Sequence, residues 1–362
     1  MAKFLIAGDW RSQIYEEPVA QSLERLGHSV VRFAWHGYFE APGSPLTGAG
    51  SLVRRFQSKY MVGPRCERLN DDLVRCAVRE RPDAILVYRG SHVTSRSLDR
   101  IRQAWPWAVL VGHNNDDPFS PRYPRWMWRH FRRALSRYDL VLAFRHQNID
   151  DFQRSGARQV RLWRSWFIPE LHHPVELTSE ERVRYGCDVV FVGHYEPDHR
   201  LKYLDSIARR GLRLRLFGPD YPTGLGSEAL DRLGPIRAVR GEEYTKALCG
   251  AKVALCFLSR LNRDTYTSRS FEIPATKTMM LSEYSDDLAS LYLEGVEAAF
   301  FRTPAELVAK LASYLADDRR RESVAAGGYR RVWADGHDVL SRTKALVGWV
   351  SALREERQES PR

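Results

Sequence analysis

Residues 253–275 read VALCFLSRLNRDTYTSRSFEIPA, and this stretch predicts a β-strand, a polar loop and the start of a helix. The apolar run 253–257 has the length of a buried strand, since strands covered on both faces are continuous apolar runs of about four to eight residues. The loop that follows is rich in hydroxyl groups and ends at Arg269. Ligands of open parallel sheets lie beyond the carboxyl ends of the strands. We therefore expect a binding site in this loop.

Strand and helix patterns alternate on both sides of this stretch. In the second half, further strands are predicted at 188–192, 212–217, 279–282 and 298–301, and helices at 201–210 and 242–250. In the first half, strands are predicted at 3–8, 29–34, 84–88, 108–112, 140–144 and 159–163, and helices at 16–26 and 70–80. Strands separated by helices indicate βαβ units and a mainly parallel sheet. The sequence thus predicts an α/β protein with two successive domains.

Proline and glycine mark the predicted boundaries. Segment 168–181 contains Pro169 and Pro174 and is interpreted as the linker between the domains. This places the first domain at 1–170, the second at 171–340 and a terminal helix at 341–362. Segment 36–64 is rich in glycine and proline, and we predict a long loop with at most a short helix there.

The chain of 362 residues has a formal net charge of +11, and only eight of its 56 basic residues are lysines. The charge is local, because residues 51–145 hold 19 basic and nine acidic side chains. Genomic base composition explains an excess of arginine. Recognition of phosphate or carboxylate explains it as well, because the planar guanidinium binds these groups in a bidentate way. The local basic segment predicts an anionic partner.

Three classes of protein are excluded at this stage. No uncharged apolar run is long enough to span a membrane, and Asp9 ends the N-terminal apolar run too early for a signal peptide. The five cysteines are odd in number and show no CxxC spacing. We interpret them as reduced thiols of a cytoplasmic protein and predict no zinc site.

A family resemblance rests on RSFEIPA at 269–275, LSEY at 281–284, and Gly295, Glu297 and Phe300. These residues resemble the CgeB-like glycosyltransferases, whose pattern is close to R-x-F-E-I-P-A-C-G, L-x-E-Y and G-x-E-x-x-F. The second half of the chain matches the family pattern well, and the first half matches it more loosely, through NDDPF at 115–119. The resemblance implies the GT-B fold, in which two Rossmann-like domains face each other across a cleft and the last helix crosses back to the first domain. One departure is TKT at 276–278, where the family has Cys-Gly-Gly or Cys-Gly-Ala.

The resemblance implies that the second domain binds a nucleotide-diphosphate sugar, with a UDP-sugar as the first expectation and without a cofactor or metal. Hydroxyls, an arginine and the N–H groups of a helix N-terminus suit a diphosphate, whereas Glu272 matches the family carboxylate that holds the ribose. The alternative is an ordinary capped helix with a surface glutamate. The residues expected at the donor, besides Glu272, are Gly193, Arg200, Phe217, Gly218, Tyr244, Asn262, Asp264, Thr267, Ser268 and Arg269.

The candidate catalytic residues lie in HNNDD at 113–117, directly after a predicted strand. An inverting transferase needs a base that deprotonates the acceptor hydroxyl. Asp117 or Asp116 is the candidate, with His113 and Asp9 as reserves. The alternative is that Asp117, which precedes a proline, only caps and turns the chain.

A basic and aromatic segment, RWMWRHFRR at 125–133, suits a membrane interface or an anionic carbohydrate. The alternative is a helix that covers the core and keeps its arginines in water. Together with the charge, this segment predicts a glycan, a lipid-linked molecule or another small molecule as acceptor, and a peripheral membrane contact. Nucleic acid is not expected as a partner. A nucleotide-sugar epimerase or hydrolase of the same fold, a non-catalytic family member and a polyanion-binding scaffold remain open.

Overall fold

The computed structural model describes residues 1–40 and 49–359, and the chain divides into two compact units. The first unit comprises Met1–Arg164 together with Val339–Arg362, and the second comprises Ser165–Asp338. The chain thus changes unit at residues 164 and 338, where the sequence placed boundaries at 170 and 340. The terminal helix groups with the first unit.

The first unit is built on a six-stranded parallel sheet with the strand order β2-β1-β3-β4-β5-β6. Helices connect the strands, as the alternating pattern predicted. Its elements up to the linker are β1 (Lys3–Gly8), α1 (Glu16–Arg25), β2 (Ser29–Ala34), α2 (Ala49–Tyr60), α3 (Pro64–Glu80), β3 (Ala84–Tyr88), α4 (Ser95–Ala104), β4 (Val109–Asn114), α5 (Arg129–Ala134), β5 (Leu140–Ala143), α6 (His146–Arg154) and β6 (Val160–Leu162).

The second unit contains a five-stranded parallel sheet with the order β11-β10-β9-β7-β8. The chain then ends in the helix that belongs to the first unit. The remaining elements are α7 (Ser179–Tyr185), β7 (Cys187–Val192), α8 (Arg200–Ala208), β8 (Leu214–Phe217), α9 (Glu228–Asp231), α10 (Glu242–Cys249), β9 (Ala251–Cys256), α11 (Arg269–Ala275), β10 (Met279–Glu283), α12 (Asp286–Leu291), β11 (Ala299–Phe301), α13 (Pro304–Ala316), α14 (Asp318–Ala334) and α15 (Val339–Glu359).

The cores of both units consist of apolar strands covered on both faces. Every residue of β3, β4 and β5 is buried, and so are five of the six residues of β7. This burial explains why these strands are mostly apolar, apart from His113 and Asn114 at the end of β4 and the partly exposed Asp188 in β7. Side chains cap some of the helix starts: Thr94 accepts a hydrogen bond from the amide of Ser97, and Thr178 forms a capping box with Glu181.

Two predicted segments differ from the structure. The predicted loop 36–64 is wrong in its second part, because α2 spans Ala49–Tyr60, while residues 41–48 lie outside the described part. Glycine and proline residues flank this helix, and residues 51–62 contain neither. The glycines and prolines therefore mark the limits of a helix rather than a loop. Segment 125–133 is helical only from Arg129 onward, and 125–128 form turns after Pro124.

The departure TKT at 276–278 lies directly before β10, at the amino edge of the sheet. Lys277 adopts φ +57°, a left-handed conformation that favours glycine over side chains with a Cβ. This conformation explains the glycine of the related pattern. Because the segment enters β10 from the edge opposite the strand carboxyl ends, the departure affects local backbone strain rather than the expected binding site.

We expect Lys277→Gly to stabilise the protein by about 0.5–1 kcal/mol, because it relieves a left-handed side-chain conformation that costs about 1–2 kcal/mol, less the entropy of glycine. The measurement is the free energy of unfolding in urea. Lys344→Gly is the control, since this exposed residue lies inside α15, where the same change should cost about 1 kcal/mol. Destabilisation by both changes would contradict the explanation.

Candidate functional site

The strand order of the second unit reverses between β7 and β9. Their following loops therefore diverge and leave a crevice at the carboxyl edge, the usual ligand position in open α/β sheets. The loop after β7 begins at Gly193, and the long loop after β9 leads into Arg269 at the start of α11. Several of the residues predicted for the donor lie in these two loops.

Gly193 and Gly218 bring two loop backbones into direct contact. The amide of Gly193 donates to the carbonyl of Phe217 at 2.8 Å. A Cβ atom at Gly218 would overlap the carbonyl oxygen of Gly193, and one at Gly193 would lie 2.7 Å from the ring of Phe191 and 3.4 Å from Nη1 of Arg269. Neither position therefore accepts a side chain, and the guanidinium of Arg269 lies against bare backbone.

Arg269 is the candidate anion-binding cation. Its guanidinium lies 5.7 Å from the ring centre of Phe191, and Nη2 donates at 3.4 Å to the carbonyl of the residue after β9. Its Nε is buried without a hydrogen-bond partner among the described residues. Burial acts to lower the pKa of Arg269, but Cys256 and the carboxylates of Glu272 and Asp264 are among the neighbours that raise it overall. The charge therefore persists, and part of it is available to a ligand.

Glu272 stands one turn further along α11 and is nearly buried. The Tyr244 hydroxyl donates to its Oε2 at 2.5 Å, and burial beside this carboxylate raises the pKa of Tyr244 well above its usual value. The ring edge of His172 packs on Tyr244 with 5.7 Å between ring centres. Burial lowers the pKa of His172, with Glu272 opposing it. One carboxylate oxygen is thus anchored, and no described residue donates to Oε1.

Arg200 was expected as a second phosphate contact, but the structure places it in a closed ion network. The side chain is 2% exposed, and it pairs with Oε2 of Glu196 and Oδ1 of Asp198, each at 3.0 Å. Its Nη1 also donates to the carbonyl of His194 at 3.3 Å. Two carboxylates therefore compensate this charge, although Nε and Nη2 face them without hydrogen-bond geometry.

Many polar groups of the loop after β9 form hydrogen bonds within the protein. Asp264 accepts a hydrogen bond from the amide of Ser259 at 3.3 Å, and the amide of Asn262 donates to the Ser259 hydroxyl at 3.4 Å. Thr267 contacts the Cys256 thiol at 3.5 Å. The hydroxyl of Ser268 is bonded to that of Ser165 at 2.7 Å, and the amides of residues 270 and 271 donate to the carbonyls of 267 and 268. These groups shape the loop, so the expected cluster of free hydroxyls and amides is not present among them.

Tyr221 was missed by the sequence analysis. Its hydroxyl is buried without a hydrogen-bond partner among the described residues, and its ring would lie 3.1 Å from a Cβ atom at Gly218. Burial raises its pKa to about 12, although Arg200 and Arg269 act to lower it. Its place in the loop after β8 is the signal that could have found it. Phe217, which ends that strand, is 7% exposed and lies under the guanidinium of Arg237.

In the first unit, the predicted catalytic residues lie in different surroundings. His113 is 1% exposed, and its ring lies edge-on to Tyr88 and Trp163 with 4.8 Å between ring centres in each case. Its Nδ1 is bonded to the carbonyl of Leu142 at 3.1 Å. Burial lowers the pKa of His113 to about 3. This neutral ring packs within the sheet.

Asp117 and Asp116 also differ. Asp117 is fully buried, and its Oδ1 accepts hydrogen bonds from the amide of Phe119 at 3.0 Å and from Asn148 at 2.9 Å, the geometry of the turn-capping alternative. The Asp116 side chain is 17% exposed and pairs with Arg89 at 2.5 Å. Of these two carboxylates, only Asp116 reaches solvent.

The sheet of the first unit reverses between β1 and β3, which brings Asp9 and His92 to that edge. Asp9 pairs with Arg11 at 3.1 Å. His92 was missed by the sequence analysis. Its Nδ1 is bonded to the hydroxyl of Ser91 at 2.9 Å, and the buried ring also interacts with the backbone of Ser58. Burial lowers its pKa to about 4, with Asp9 opposing.

Segment 125–133 mostly covers the core. Trp128 and Phe131 are buried, and the guanidinium of Arg132 lies 4.7 Å from the ring centre of Phe119. Trp126 is only half-buried. The covering-helix alternative therefore describes most of these side chains, although the helix itself begins at Arg129.

We expect Gly218→Ala to destabilise the second unit by about 1–3 kcal/mol, because the new methyl group forces the two loops apart. Gly224→Ala is the matched control: a Cβ atom there meets no atom within 4 Å, and the change should stay below about 0.5 kcal/mol. Urea unfolding of both variants checks this. Equal destabilisation by Gly218→Ala and Gly224→Ala would show that the close contact at Gly218 does not exclude a methyl group.

The buried histidine predicts acid sensitivity. The unfolded chain takes up a proton at His113 below its ordinary pKa of 6.5, whereas the folded protein does so only near 3. Stability is therefore lost as the pH falls through this range, by about 2 kcal/mol at pH 5. We expect His113→Phe to flatten the stability profile between pH 7 and 5 by this amount. The exposed His194→Phe should leave the slope unchanged, and an equal slope in both variants would refute the assignment.

The comparisons with known proteins agree with the fold described above. Residues 200–348 match a family described as glycosyl transferase-like. A search of curated proteins gives no match. Sucrose-phosphate synthase from Thermosynechococcus elongatus is 12% identical with a TM-score of 0.72, over 98% of this chain and 99% of that one. Anabaena HepE in complex with UDP-glucose is 13% identical with a TM-score of 0.65, over 97% and 100%.

A third structure, S. aureus MnaA with UDP, is 13% identical with a TM-score of 0.58 and covers 100% of this chain and 99% of its own. These likenesses, together with the two parallel sheets and their alternating helices, confirm the predicted α/β class. The chain has the GT-B fold, and its residues 200–348 are similar to the glycosyl transferase-like family.

Proposed function

We propose that this chain is a glycosyltransferase that moves a sugar, of the hexose type, from a nucleotide-diphosphate donor to an acceptor hydroxyl. The observation that carries the proposal is a pair of buried donors without hydrogen-bond partners among the described residues, Nε of Arg269 and the hydroxyl of Tyr221, whose side chains lie beside Gly193 and Gly218. Buried polar groups in proteins are almost always hydrogen-bonded. Two such groups at a topological switch point indicate contacts that a ligand completes.

The chemistry of this place fits a diphosphate. A guanidinium forms strong, charge-assisted hydrogen bonds with phosphate oxygens, and Nη1 of Arg269 lies beside the bare backbone of Gly193. Arg200 is already neutralised by two carboxylates. Arg269 therefore takes the main role in holding the departing diphosphate, and we propose that it does so without a metal.

Glu272 suits the ribose. Tyr244 holds Oε2, and Oε1 is left to accept hydrogen bonds from sugar hydroxyls. Anabaena HepE was crystallised with UDP-glucose and S. aureus MnaA with UDP, which makes a UDP-sugar the first donor to test. The motif at 269–275 supports the CgeB-like branch as part of the same proposal.

On the acceptor side, a general base must reach the hydroxyl that it deprotonates. Asp116 meets this requirement better than Asp117 or His113, because its carboxylate is partly exposed. We propose Asp116 as the base and an anionic or lipid-linked molecule as the acceptor. Free cysteines and a nucleotide-sugar donor favour the cytoplasm as the location.

The test is thermal unfolding of the full chain with UDP. At about 100 times its dissociation constant, UDP should add about 2.7 kcal/mol and raise Tm by about 5 °C. We expect Arg269→Gln to weaken UDP binding by about ten- to a hundredfold and Tyr221→Phe by about fivefold, since charged hydrogen bonds contribute more than neutral ones. Arg209→Gln is the control, because this exposed arginine directly follows α8 at its far end and pairs with Asp205.

Loss of the UDP shift in the control, or an unchanged shift in Arg269→Gln, would refute the donor site. Asp116→Asn should keep the shift and lose sugar transfer. Product analysis without acceptor separates the rivals: a transferase leaves the donor nearly intact, whereas an epimerase or hydrolase converts it. A chain that binds polyanions but shows no nucleotide shift is a scaffold.

A further inference from the structure

An apolar-basic surface on the first unit consists of Leu52, Val53, Phe56, Tyr60 and Trp126. The first three side chains are 66%, 54% and 57% exposed, and their spacing places them on one face of α2. The ring of Phe56 lies 4.7 Å from that of Tyr60, which lies 4.9 Å from that of Trp126. The result is one continuous strip of apolar and aromatic groups that the described part of the unit leaves uncovered.

This surface is held in place from its far end. Arg129 donates hydrogen bonds to the carbonyls of Tyr60 and Met61, and Nε2 of His130 is bonded to that of Met61 at 2.9 Å. Met61 itself is buried. The C-terminal end of α2 is therefore attached to α5, so the exposure of its outer face is a property of the folded unit.

The two stretches that contribute the strip are basic in sequence. Residues 52–66 and 118–138 contain four and six basic side chains and no aspartate or glutamate, and of these Arg137 pairs with Asp99 at 2.7 Å. Arg55, Lys59 and Arg125 are exposed beside the apolar groups, and Nζ of Lys59 lies 5.5 Å from the ring centre of Tyr60. The complementary partner is therefore anionic and also able to take up apolar side chains.

We propose that the apolar-basic surface binds the interface of an anionic lipid bilayer. Helices with large apolar groups on one face and lysine or arginine beside them lie in the headgroup layer, and tyrosine and tryptophan favour the same depth. Leu52, Val53 and Phe56 insert at the acyl boundary, and the cations contact headgroup phosphates. A nucleic acid would leave these three side chains in water. The helices in the described part of the chain are too short or too polar to span a bilayer.

The test is flotation of the full chain with vesicles of phosphatidylcholine alone or mixed with phosphatidylglycerol, without nucleotide. We expect binding to the mixed vesicles only, decreasing with salt. The double change L52S/F56S should weaken it by at least about tenfold, because two large apolar side chains no longer insert. V183S is the control, since Val183 is 78% exposed on the second unit. Arg55→Gln should weaken binding about fivefold, and Arg158→Gln, at an exposed site elsewhere on the first unit, should not.

Unchanged flotation of L52S/F56S, or an equal loss in V183S, overturns the proposal. So does binding of the wild type to duplex DNA or heparin but to neither kind of vesicle, which assigns the surface to a soluble polyanion. Unchanged Tm values show that the variants fold. The UDP shift is measured on the same samples, so failure of vesicle binding and failure of the donor site are separate results.

Discussion

The backbone contact between Gly193 and Gly218 is the constraint on which the candidate donor site depends. It joins the loops after β7 and β8 and leaves Arg269 against a surface without side chains. A Cβ atom at Gly218 would overlap the carbonyl oxygen of Gly193, so the two loops approach this closely only because the position lacks a side chain. The Glu272–Tyr244 hydrogen bond is a second contact of the candidate site.

The polar groups of the second unit fall into two kinds. The network around Arg200, Glu196 and Asp198 is internally compensated and stabilises the loop after β7. Nε of Arg269 and the hydroxyl of Tyr221 lack hydrogen-bond partners among the described residues, as do Nε and Nη2 of Arg200, but of these three residues only Arg200 has carboxylates at 3.0 Å. Removing water from uncompensated donors is costly, so a ligand that supplies acceptors gains more from them than from a compensated pair. Compensation, rather than charge alone, thus separates a binding residue from a structural one.

The sequence patterns predicted the strands well, because a buried parallel strand is a continuous apolar run and few other structures share that signature. Helix α2 was missed because its flanking glycines and prolines suggested a loop. At the site, the 269–275 motif pointed to Arg269 and Glu272. The roles of the other residues depend on hydrogen bonds, which cannot be read from the sequence. Asp117 caps a turn, the ring of His113 packs within the sheet, and Tyr221 belongs to no motif.

The same distinction between paired and unpaired charges applies to the distribution of basic residues along the chain. The net charge of +11 concentrates in residues 51–145, and the stretches 52–66 and 118–138 have no acidic residues that could pair locally. Some basic groups have carboxylate partners, both outside this region, as with Lys246 beside Glu181 and Glu242, and within it, as with Arg102 beside Asp139 and Arg137 beside Asp99. The field of the remaining net positive charge acts over about 10 Å in salt and concentrates anionic partners at the surface before contact. Exposed apolar groups within that field then restrict the partner to one with an apolar interior, which free nucleotides and soluble glycans do not have.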